Sequence, residues 1–470
     1  MPPAHDRAAK IRFRRAVTLM VMTLVLPGSA QLVAGRRETG RLALRIWAGL
    51  LAVGLASLLV AWVWSGFVFA VMSAPLLLGL LQWALVALAL GWAYLFVDAW
   101  RLGEPLTLVR RRRLVVVGIN GLLCFTVAGT LLFASHLVGT GRGALAAVFG
   151  DTVVAGASDG RFNVLLLGGD SGAGRWGLRP DSMTVASIDA ETGRTVLVGL
   201  PRNLQGFRFA EGSVMDEQFP DGFDCDGCYL NGVSTWAIDN RELFGRSRNP
   251  GVDATIEAVE GVTGLDVSYW AMVNLAGFKN LVDAVGGLEL TVRDRIPVGL
   301  PHEDYFHYIQ PGTRVLNGHD TLWFARAREG SDDYSRMARQ KCVMNAFVEQ
   351  VSPQTVLTNF RGLADAAGST LSTNLPRKEV GRFLDLALKA KGQRISSVSL
   401  VPPAINTADP DLDLIREKVQ EAIDRAEGTG TAATPKRKPK RPAGTQTGGS
   451  LGTRDGGYAA NDSDDLAAAC

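Results

Sequence analysis

At 470 residues the chain is long enough to form more than one domain, and one of these can bury a large core. Its formal net charge of +3 at pH 7 is too small to indicate nucleic acid as a partner. Nearly all of the long uncharged apolar stretches lie in the first 140 residues. Composition therefore excludes a wholly soluble protein and predicts a membrane region, residues 1–140, followed by a soluble domain.

Three segments of the membrane region are apolar over the roughly 20 residues that a helix needs to cross a bilayer. They run approximately over residues 46–64, 76–97 and 114–133. A fourth apolar segment, residues 16–34, is interrupted by Pro27, Gly28, Ser29 and Gln31. We expect this segment to be either re-entrant or spanning.

Positive charge determines the expected orientation. Arginines flank residues 16–34 on both sides and Arg110–Arg113 precede the last span, whereas residues 65–75 carry no charge. The positive-inside rule then places residues 1–15, 35–45 and 98–113 in the cytoplasm. Residues 16–34 would enter and return with their turn at Pro27 and Gly28, and everything after about residue 138 would lie outside. Four full crossings with the opposite orientation are the alternative, and a cleavable signal peptide is not expected.

The exported part contains alternating strand and helix patterns. Residues 141–157 are a predicted linker, and the domain is expected over residues 158–408. The run "RFNVLLLGGD" predicts a buried strand, and two β-rich runs around residues 190–193 predict a hairpin. Helices are expected at residues 253–263, 276–285, 376–392 and 409–427, and another from Met337 onward. Strands or strand–helix junctions are expected in "GGLELTV" and "DTLWFARA", and a late strand is expected in "ISSVSLVPP". The pattern predicts an α/β or α+β domain, and residues 428–470 have the composition of a disordered tail.

Two of the five cysteines form a CxxC pair, Cys225 and Cys228, in "FDCDGCYLNG". No second CxxC and no histidine pair at zinc spacing accompany it, and export would place it in an oxidising space. A small structural disulfide is therefore favoured over a free or metal-bound pair. Cys342 has no evident partner.

Three charged clusters in the exported part need a common explanation. The first comprises Asp170, Arg179 and Asp181, and the second is Arg202 in "GLPRN". The third lies in "WFARAREGSDDYSRMARQ" and contains Arg326, Arg328, Asp332, Asp333, Arg336, Arg339 and Gln340. Arg336 and Gln340 are one helical turn apart and can face the same way. Arg326 and Arg328 share a face if their stretch is extended.

Several converging guanidinium groups fit a polyanion, because their forked geometry matches phosphate oxygens. Two carboxylates in the same site would repel that ligand unless a cation lay between them. Mg²⁺ is commonly held by one or two carboxylates together with phosphate oxygens of the substrate. The clusters therefore predict a site for Mg²⁺ and pyrophosphate.

Seven motifs between about residues 160 and 350 resemble, in the same order, those of the LytR–CpsA–Psr (LCP) family. They are "LLLGGDSG", "RPDSM", "GLPRN", "YLNGV", "LVDAVGGLELTV", "LNGHDTLWFARAR" and "DDYSRMARQ". Members of this family are membrane-anchored phosphotransferases outside the cell. They transfer glycopolymers of the teichoic acid, arabinogalactan or capsule type from a polyprenyl-pyrophosphate carrier to peptidoglycan. The resemblance implies an extracytoplasmic α/β (α-β-α) domain with a central mixed β-sheet and a tunnel for the prenyl chain.

The resemblance also implies roles for individual residues. Asp170 and Asp181 would hold Mg²⁺, and one of them would assist deprotonation of the acceptor hydroxyl. The pyrophosphate would be bound by Arg179, Arg202, Arg326 and Arg328, with Arg336 and Gln340 completing the cradle and Asn231 on the phosphate side. Asp170, Asp181, Arg202 and Arg328 are the expected catalytic residues. Asn203 stands where the family usually has aspartate, and the spacing to Gln340 favours Arg336 over Arg339 as the arginine that faces the site.

The expected reaction is attack by a muramic acid 6-hydroxyl on the sugar-proximal phosphorus, with prenyl monophosphate as the leaving group. Its partners would be the polyprenyl-pyrophosphate-linked glycopolymer, peptidoglycan and the lipid bilayer of the cell membrane. Two alternatives stay open: a polyprenyl-pyrophosphate phosphatase that uses water as acceptor, and a non-catalytic wall- or lipid-binding regulator. Sequence does not separate transferase from hydrolase, because the same cradle serves both.

Overall fold

The computed structural model of the chain describes residues 4–63, 71, 74–149, 154–169, 179–327, 333–351, 371–428 and 461. The chain divides into two compact units, residues 1–143 and 144–470. The three charged clusters fall in the second unit, and the long apolar stretches fall in the first.

Four long helices and a short one make up most of the described part of the first unit. They are α1 (Ala4–Val25), α2 (Ser29–Val33), α3 (Arg37–Val63), α4 (Pro75–Leu102) and α5 (Arg110–Val148). In the described residues, three stretches are long and apolar enough to cross a membrane: Arg37–Val60, Leu76–Thr107 and Arg110–Gly143. These agree with the three predicted spans, while their orientation stays a prediction. Because α5 continues to Val148, residues 141–148 are helical rather than an irregular linker.

Residues 16–34 do not form one continuous helix. The chain turns at residues 26–28 between α1 and α2, where Pro27 and Gly28 predict a turn. Gly28 has a φ of +89°, and a Cβ atom there would lie 2.6 Å from the carbonyl oxygen of Gly40. Glycine is therefore required at the turn. The course of this segment relative to a membrane stays a prediction.

The second unit contains short strands and helices. The strands are β1 (Arg161–Gly169), β2 (Pro180–Asp189), β3 (Thr195–Leu200), β4 (Tyr269–Asn274), β5 (Leu288–Val292), β6 (Ile296–Val298), β7 (His307–Ile309), β8 (Gly312–Leu316), β9 (Leu371–Thr373) and β10 (Ser396–Ser399). The helices are α6 (Val214–Gln218), α7 (Val233–Asp239), α8 (Pro250–Thr263), α9 (Leu275–Ala284), α10 (Gly318–Arg326), α11 (Asp333–Gln350), α12 (Arg377–Ala390) and α13 (Leu412–Glu427).

Six described strands form a mixed central sheet in the order β10-β3-β2-β1-β4-β9. β1, β2 and β3 are antiparallel neighbours, whereas β1 and β4 are parallel, as are β3 and β10. The predicted hairpin joins β2 to β3, and the mixed sheet is the one that the family resemblance implies. Two smaller pairs, β5 with β8 and β6 with β7, lie outside this sheet.

Helices cover both faces of the central sheet. On one face, Leu165 and Leu167 of β1 share an apolar core with residues of α8 and α13. On the other face, Ala186 and Leu197 pack with Met344 and Val348 of α11. This alternation follows from the two-residue period of strand side chains. A second core joins β5–β8 to α10 and α11.

Two local features of the second unit bear on the sequence analysis. "DTLWFARA" lies mostly in helix α10 rather than in a strand, because the Asn317 side chain caps the helix by accepting a hydrogen bond from the Asp320 amide at 2.8 Å. Cys225 and Cys228 are disulfide-bonded to each other. Cys342, on α11, is also disulfide-bonded.

Candidate active site

The register of the central sheet brings Asp181 and Arg202 to the same end. In the antiparallel pair of β2 and β3, Met183 lies opposite Leu200. Asp181 stands two residues before Met183, and Arg202 stands two residues after Leu200. Both side chains therefore project from the same edge of the sheet, although 21 positions separate them in the sequence.

Helix α11 supplies two further charges at this end of the sheet. Its first residue, Asp333, pairs with Arg336 in the same helical turn, with 3.0 Å between Oδ2 and Nη2. The Arg336 side chain is only 4% exposed. A charge so well buried requires a partner, and Asp333 provides it.

These four residues form one connected group, which we call the four-charge cluster: Asp181, Arg202, Asp333 and Arg336. Arg202 donates from Nη1 to Asp181 Oδ1 at 2.6 Å, and its Nε lies 3.2 Å from Asp333 Oδ1. Arg336 Nη1 lies 3.9 Å from the same Asp181 oxygen. Each arginine therefore contacts both carboxylates.

Burial and the two carboxylates have opposite effects on Arg202. Burial lowers the pKa of its guanidinium. The neighbouring carboxylates of Asp333 and Asp181 raise that pKa by more than burial lowers it, so the pKa lies above its ordinary value. Arg202 therefore keeps its positive charge at any physiological pH.

The main chain around Arg202 is held by hydrogen bonds. The Leu204 amide donates to the Pro201 carbonyl at 3.2 Å, which closes a turn after β3. Asn231, which is buried, donates its own backbone amide to the Arg202 carbonyl at 3.0 Å. The described contact of Asn231 is thus with the main chain of Arg202, and it fixes the loop that carries the guanidinium.

The structure places the remaining predicted residues as follows. Arg179 is exposed directly before β2. Arg326 is the last residue of α10, and its guanidinium carbon lies 5.4 Å from the centre of the Trp323 ring. Gln340 Nε2 donates to the Ala325 carbonyl at 3.4 Å, which braces α10 against α11. Asp170 and Arg328 lie outside the described residues.

Two expectations about neighbouring residues can now be compared with the structure. The shared-face argument for Arg326 and Arg328 assumed an extended chain, and it fails at Arg326 because this residue ends a helix. Arg336 belongs to the four-charge cluster, whereas Arg339 is fully buried and donates to the Ala327 carbonyl. The Asn203 side-chain oxygen is buried and accepts no hydrogen bond from the part of the chain that the structure describes.

Asp333 is the member of the four-charge cluster to which the sequence analysis assigned no role. It appeared only as a member of the third cluster, with no role assigned. Its contact with Arg202 spans 131 sequence positions, so no local pattern reveals it. The available signal was its spacing of three residues before Arg336 at a helix start.

The donor chemistry of the four-charge cluster fits the predicted Mg²⁺. Asp181 is 40% exposed, so an incoming cation can reach its carboxylate. One or two carboxylates suffice for Mg²⁺ when phosphate oxygens complete its coordination. Across the described ranges, no group of three or more His, Cys, Asp or Glu side chains is arranged to hold a metal by itself. Of the described residues, Asp181 would hold the metal, and phosphate oxygens of the substrate would complete its coordination.

Curated relatives share about a quarter of their residues with this chain. Biofilm regulatory protein A of Streptococcus mutans is 25% identical over 229 residues, which are 47% of this chain and 51% of that protein. The cell wall biosynthesis protein LcpA of Corynebacterium glutamicum is 28% identical over 234 residues, 45% of this chain and 44% of its own length. The polyisoprenyl-teichoic acid–peptidoglycan teichoic acid transferase TagU of Bacillus cereus is 26% identical over 220 residues, 46% of this chain and 62% of TagU. The chain thus spans between 44% and 62% of these relatives.

Solved structures also resemble this chain. Protein gbs0355 of Streptococcus agalactiae matches 58% of this chain and 90% of its own, with a TM-score of 0.44 and 21% identity. TagV of Bacillus subtilis matches 58% of this chain and 100% of its own, with a TM-score of 0.42 and 21% identity.

The sequence pattern of one family covers more than half of the chain. The LytR_cpsA_psr family matches residues 144–408, which contain the central sheet and the four-charge cluster. The chain therefore belongs to the LytR_cpsA_psr family.

Proposed function

We propose that the chain is a membrane-anchored phosphotransferase that attaches an anionic glycopolymer of the teichoic acid, arabinogalactan or capsule type to peptidoglycan, using a polyprenyl-pyrophosphate carrier. The observation that carries this proposal is the four-charge cluster, in which Arg202 and Arg336 converge on Asp181 and Asp333. The transferase TagU, named for teichoic acid and peptidoglycan, supports the proposed class of substrate.

Charge balance explains why the cluster suits a diphosphate bound with a cation. Its two arginines and two aspartates sum to zero net charge. A diphosphate must therefore compete with the carboxylates for the guanidinium groups. A divalent cation on Asp181, together with Asp170, would neutralise acid charge and release the arginines for the phosphate oxygens.

The different exposure of the Arg202 and Arg336 side chains suggests a different role for each arginine. The Arg202 side chain is 21% exposed and lies where a ligand can enter. The Arg336 side chain is only 4% exposed and is held by Asp333. We therefore expect Arg202 to bind the diphosphate directly and Arg336 to stabilise negative charge from behind as it spreads over the phosphoryl oxygens.

The reaction forms one bond and breaks one. The muramic acid 6-hydroxyl oxygen attacks the sugar-proximal phosphorus, and a carboxylate oxygen of Asp181 or Asp170 accepts the hydroxyl proton. The bond from this phosphorus to the bridging oxygen breaks, and prenyl monophosphate leaves with the electron pair. The guanidinium groups hold the reacting phosphorus in line with the hydroxyl. When bound, Mg²⁺ would supply charge neutralisation at the phosphoryl oxygens.

The membrane helices give the site its location in this proposal. Three apolar helices would anchor the chain in the same bilayer as the lipid carrier. The domain after α5 would then face the extracytoplasmic side, where peptidoglycan lies.

A transfer assay tests the proposal. The full chain, held in lipid nanodiscs with Mg²⁺, receives a polyprenyl-pyrophosphoryl N-acetylglucosaminide with and without peptidoglycan oligomers. We expect a phosphodiester-linked sugar on peptidoglycan together with prenyl monophosphate, and only when the acceptor is present. Equal release of prenyl monophosphate without acceptor would identify a phosphatase instead. Binding of the lipid without any turnover would favour a non-catalytic role.

A further inference from the structure

A part-buried pair of hydroxyl groups lies next to the four-charge cluster, because one of them belongs to the residue that follows Asp333. The Tyr334 hydroxyl is 2.9 Å from Thr407 Oγ1. Tyr334 follows Asp333 directly in the first turn of α11, and Thr407 is only 7% exposed in the segment between β10 and α13. No motif in the sequence indicates this contact, because 73 positions separate the two residues.

Thr407 also contacts the loop that carries Arg202. Its carbonyl accepts a hydrogen bond from the Gln205 amide at 3.0 Å. Thr407 therefore joins, within one residue, the loop after β3 to the start of α11. These are the two elements that supply Arg202, Asp333 and Arg336.

Tyr334 is held through its main chain as well. The Asn461 side-chain amide donates to the Tyr334 carbonyl at 2.7 Å, and Asn461 is 2% exposed. The Lys341 ammonium group of the same helix donates to the Asn461 carbonyl at 3.2 Å. The first turn of α11 is thus fixed by a neutral hydrogen bond from Asn461 in addition to ion pairs.

The hydrogen bond between the Tyr334 and Thr407 hydroxyl groups can persist where the ion pairs of the cluster cannot. A diphosphate would draw Arg202 and Arg336 away from their carboxylates, and this would weaken the ionic connection between the loop and α11. Uncharged hydroxyl groups do not take part in that exchange. We propose that Tyr334, through Thr407, is a positioning residue that keeps Arg202 and Arg336 aligned while substrate is bound; this inference rests on the proposed function.

Matched variants of the full chain in nanodiscs test this role in the transfer assay. Tyr334→Phe and Thr407→Val each remove one hydroxyl, and each should lower kcat about two- to tenfold, the range for one neutral hydrogen bond. The double variant should lose no more than either single variant, because both remove the same contact. Thr407→Ser keeps the hydroxyl and should retain wild-type kcat, as should Tyr308→Phe, which removes a distant hydroxyl. The Tm of the variants should change little.

Several outcomes would overturn the inference. These are wild-type kcat in Tyr334→Phe, additive losses in the double variant, or a kcat loss fully explained by a lower folded fraction. Hydrogen exchange of residues 201–205 and 333–340 provides a readout that needs no transfer, measured with geranylgeranyl pyrophosphate as the probe. Tyr334→Phe should speed exchange in both segments. Unchanged hydrogen exchange in Tyr334→Phe would contradict the positioning role, even if the chain proved to be a phosphatase. Faster exchange in this variant, combined with no transfer by the wild-type chain, would contradict only the proposed reaction.

Discussion

Arg202 connects two carboxylates that come from different elements. Its Nη1 contacts Asp181 and its Nε contacts Asp333, so both edges of the guanidinium are used. A lysine has a single nitrogen and cannot span the two acids in this way. The planar fork is therefore the property of Arg202 that the site depends on.

We predict that Arg202→Lys lowers kcat/KM for transfer by about 10- to 100-fold while the chain stays folded. Arg208→Lys, an exposed position six residues further along the chain, is the matched control and should leave kcat/KM unchanged. Transfer kinetics on the purified full chain measure both. Wild-type kcat/KM in Arg202→Lys would remove the guanidinium fork from the mechanism.

Asp333 has a structural role beside its proposed part in the site. Asp333→Asn removes the carboxylate charge that lies 3.0 Å from the guanidinium of the buried Arg336. We expect the free energy of unfolding to fall by about 2–4 kcal/mol, because a buried charge loses its closest partner. Urea denaturation of the variant and of Asp413→Asn, an exposed aspartate on α13, measures the difference. A loss no larger than that of Asp413→Asn would contradict this account of Arg336.

Three of the four residues of the four-charge cluster could be proposed as site residues from the sequence alone. Asp181, Arg202 and Arg336 lie in motifs whose residue types suggest phosphate chemistry. No role could be assigned to Asp333 from the sequence, because its contact with Arg202 depends on where α11 begins relative to β3. The relative position of these two elements is a tertiary property. Asp170 and Arg328 lie outside the described residues, so their roles stay predictions.

Helix α10 depends on a glycine at its first position. A Cβ atom on Gly318 would lie 2.0 Å from the Lys279 carbonyl oxygen and 2.9 Å from Asp283 Oδ2. Close backbone approach between α9 and α10 therefore requires glycine here.

We predict that Gly318→Ala destabilises the chain by at least about 2 kcal/mol, since the helices must separate to admit a methyl group. Because α10 ends at Arg326, the same change should displace that arginine and lower transfer. Gly232→Ala, at a position with no neighbour within 4 Å of the added Cβ, is the control and should cost less than about 1 kcal/mol. Equal unfolding midpoints for the two variants would contradict the packing argument.

Helix α8 carries a half-buried acid, Glu257, that links stability to pH. Burial raises the pKa of Glu257 above its ordinary value of 4.5, although its carboxylate accepts a hydrogen bond from the Met215 amide. The folded chain therefore binds this proton more tightly than the unfolded chain. The resulting stability is fully present below pH 4.5 and is lost as pH rises through the folded pKa.

We predict that Glu257→Gln flattens this loss of stability with rising pH, because the amide keeps an acceptor but cannot ionise. Glu260 is shifted in the same direction and for the same main reason, so part of the slope should survive. Unfolding free energies from pH 4 to 7 measure the slope, with the exposed Glu417→Gln on α13 as control. An unaltered slope in Glu257→Gln would show that the carboxyl does not titrate as proposed.

A helix or strand could be predicted from the sequence where residues within the element or in its turns specify it. The β2–β3 hairpin and helices α8, α9 and α12 were predicted because turn residues or apolar periodicity specify them. Helix α10 was not, since its Thr, Trp and Phe favour a strand, and the Asn317 cap determines the outcome. The helical course of residues 141–148 was also missed, because their glycine and alanine suggest a linker.

At the scale of the whole molecule, the proposed function requires the family domain to lie on the extracytoplasmic side. The arginines around residues 35–45 and 98–113 predict that these ends are cytoplasmic. A reporter fused after residue 470 should therefore read extracytoplasmic, and one fused after residue 104 should read cytoplasmic. The opposite pair of readings would reverse the orientation and separate the site from peptidoglycan.

The binding position of a diphosphate lipid tests the central claim most directly. The measurement is a crystal structure of the full chain with Mg²⁺ and geranylgeranyl pyrophosphate. The account predicts diphosphate oxygens within hydrogen-bonding distance of the Arg202 guanidinium and the metal on Asp181. A diphosphate bound away from both residues, with Arg202 still paired to Asp181 and Asp333, would contradict it.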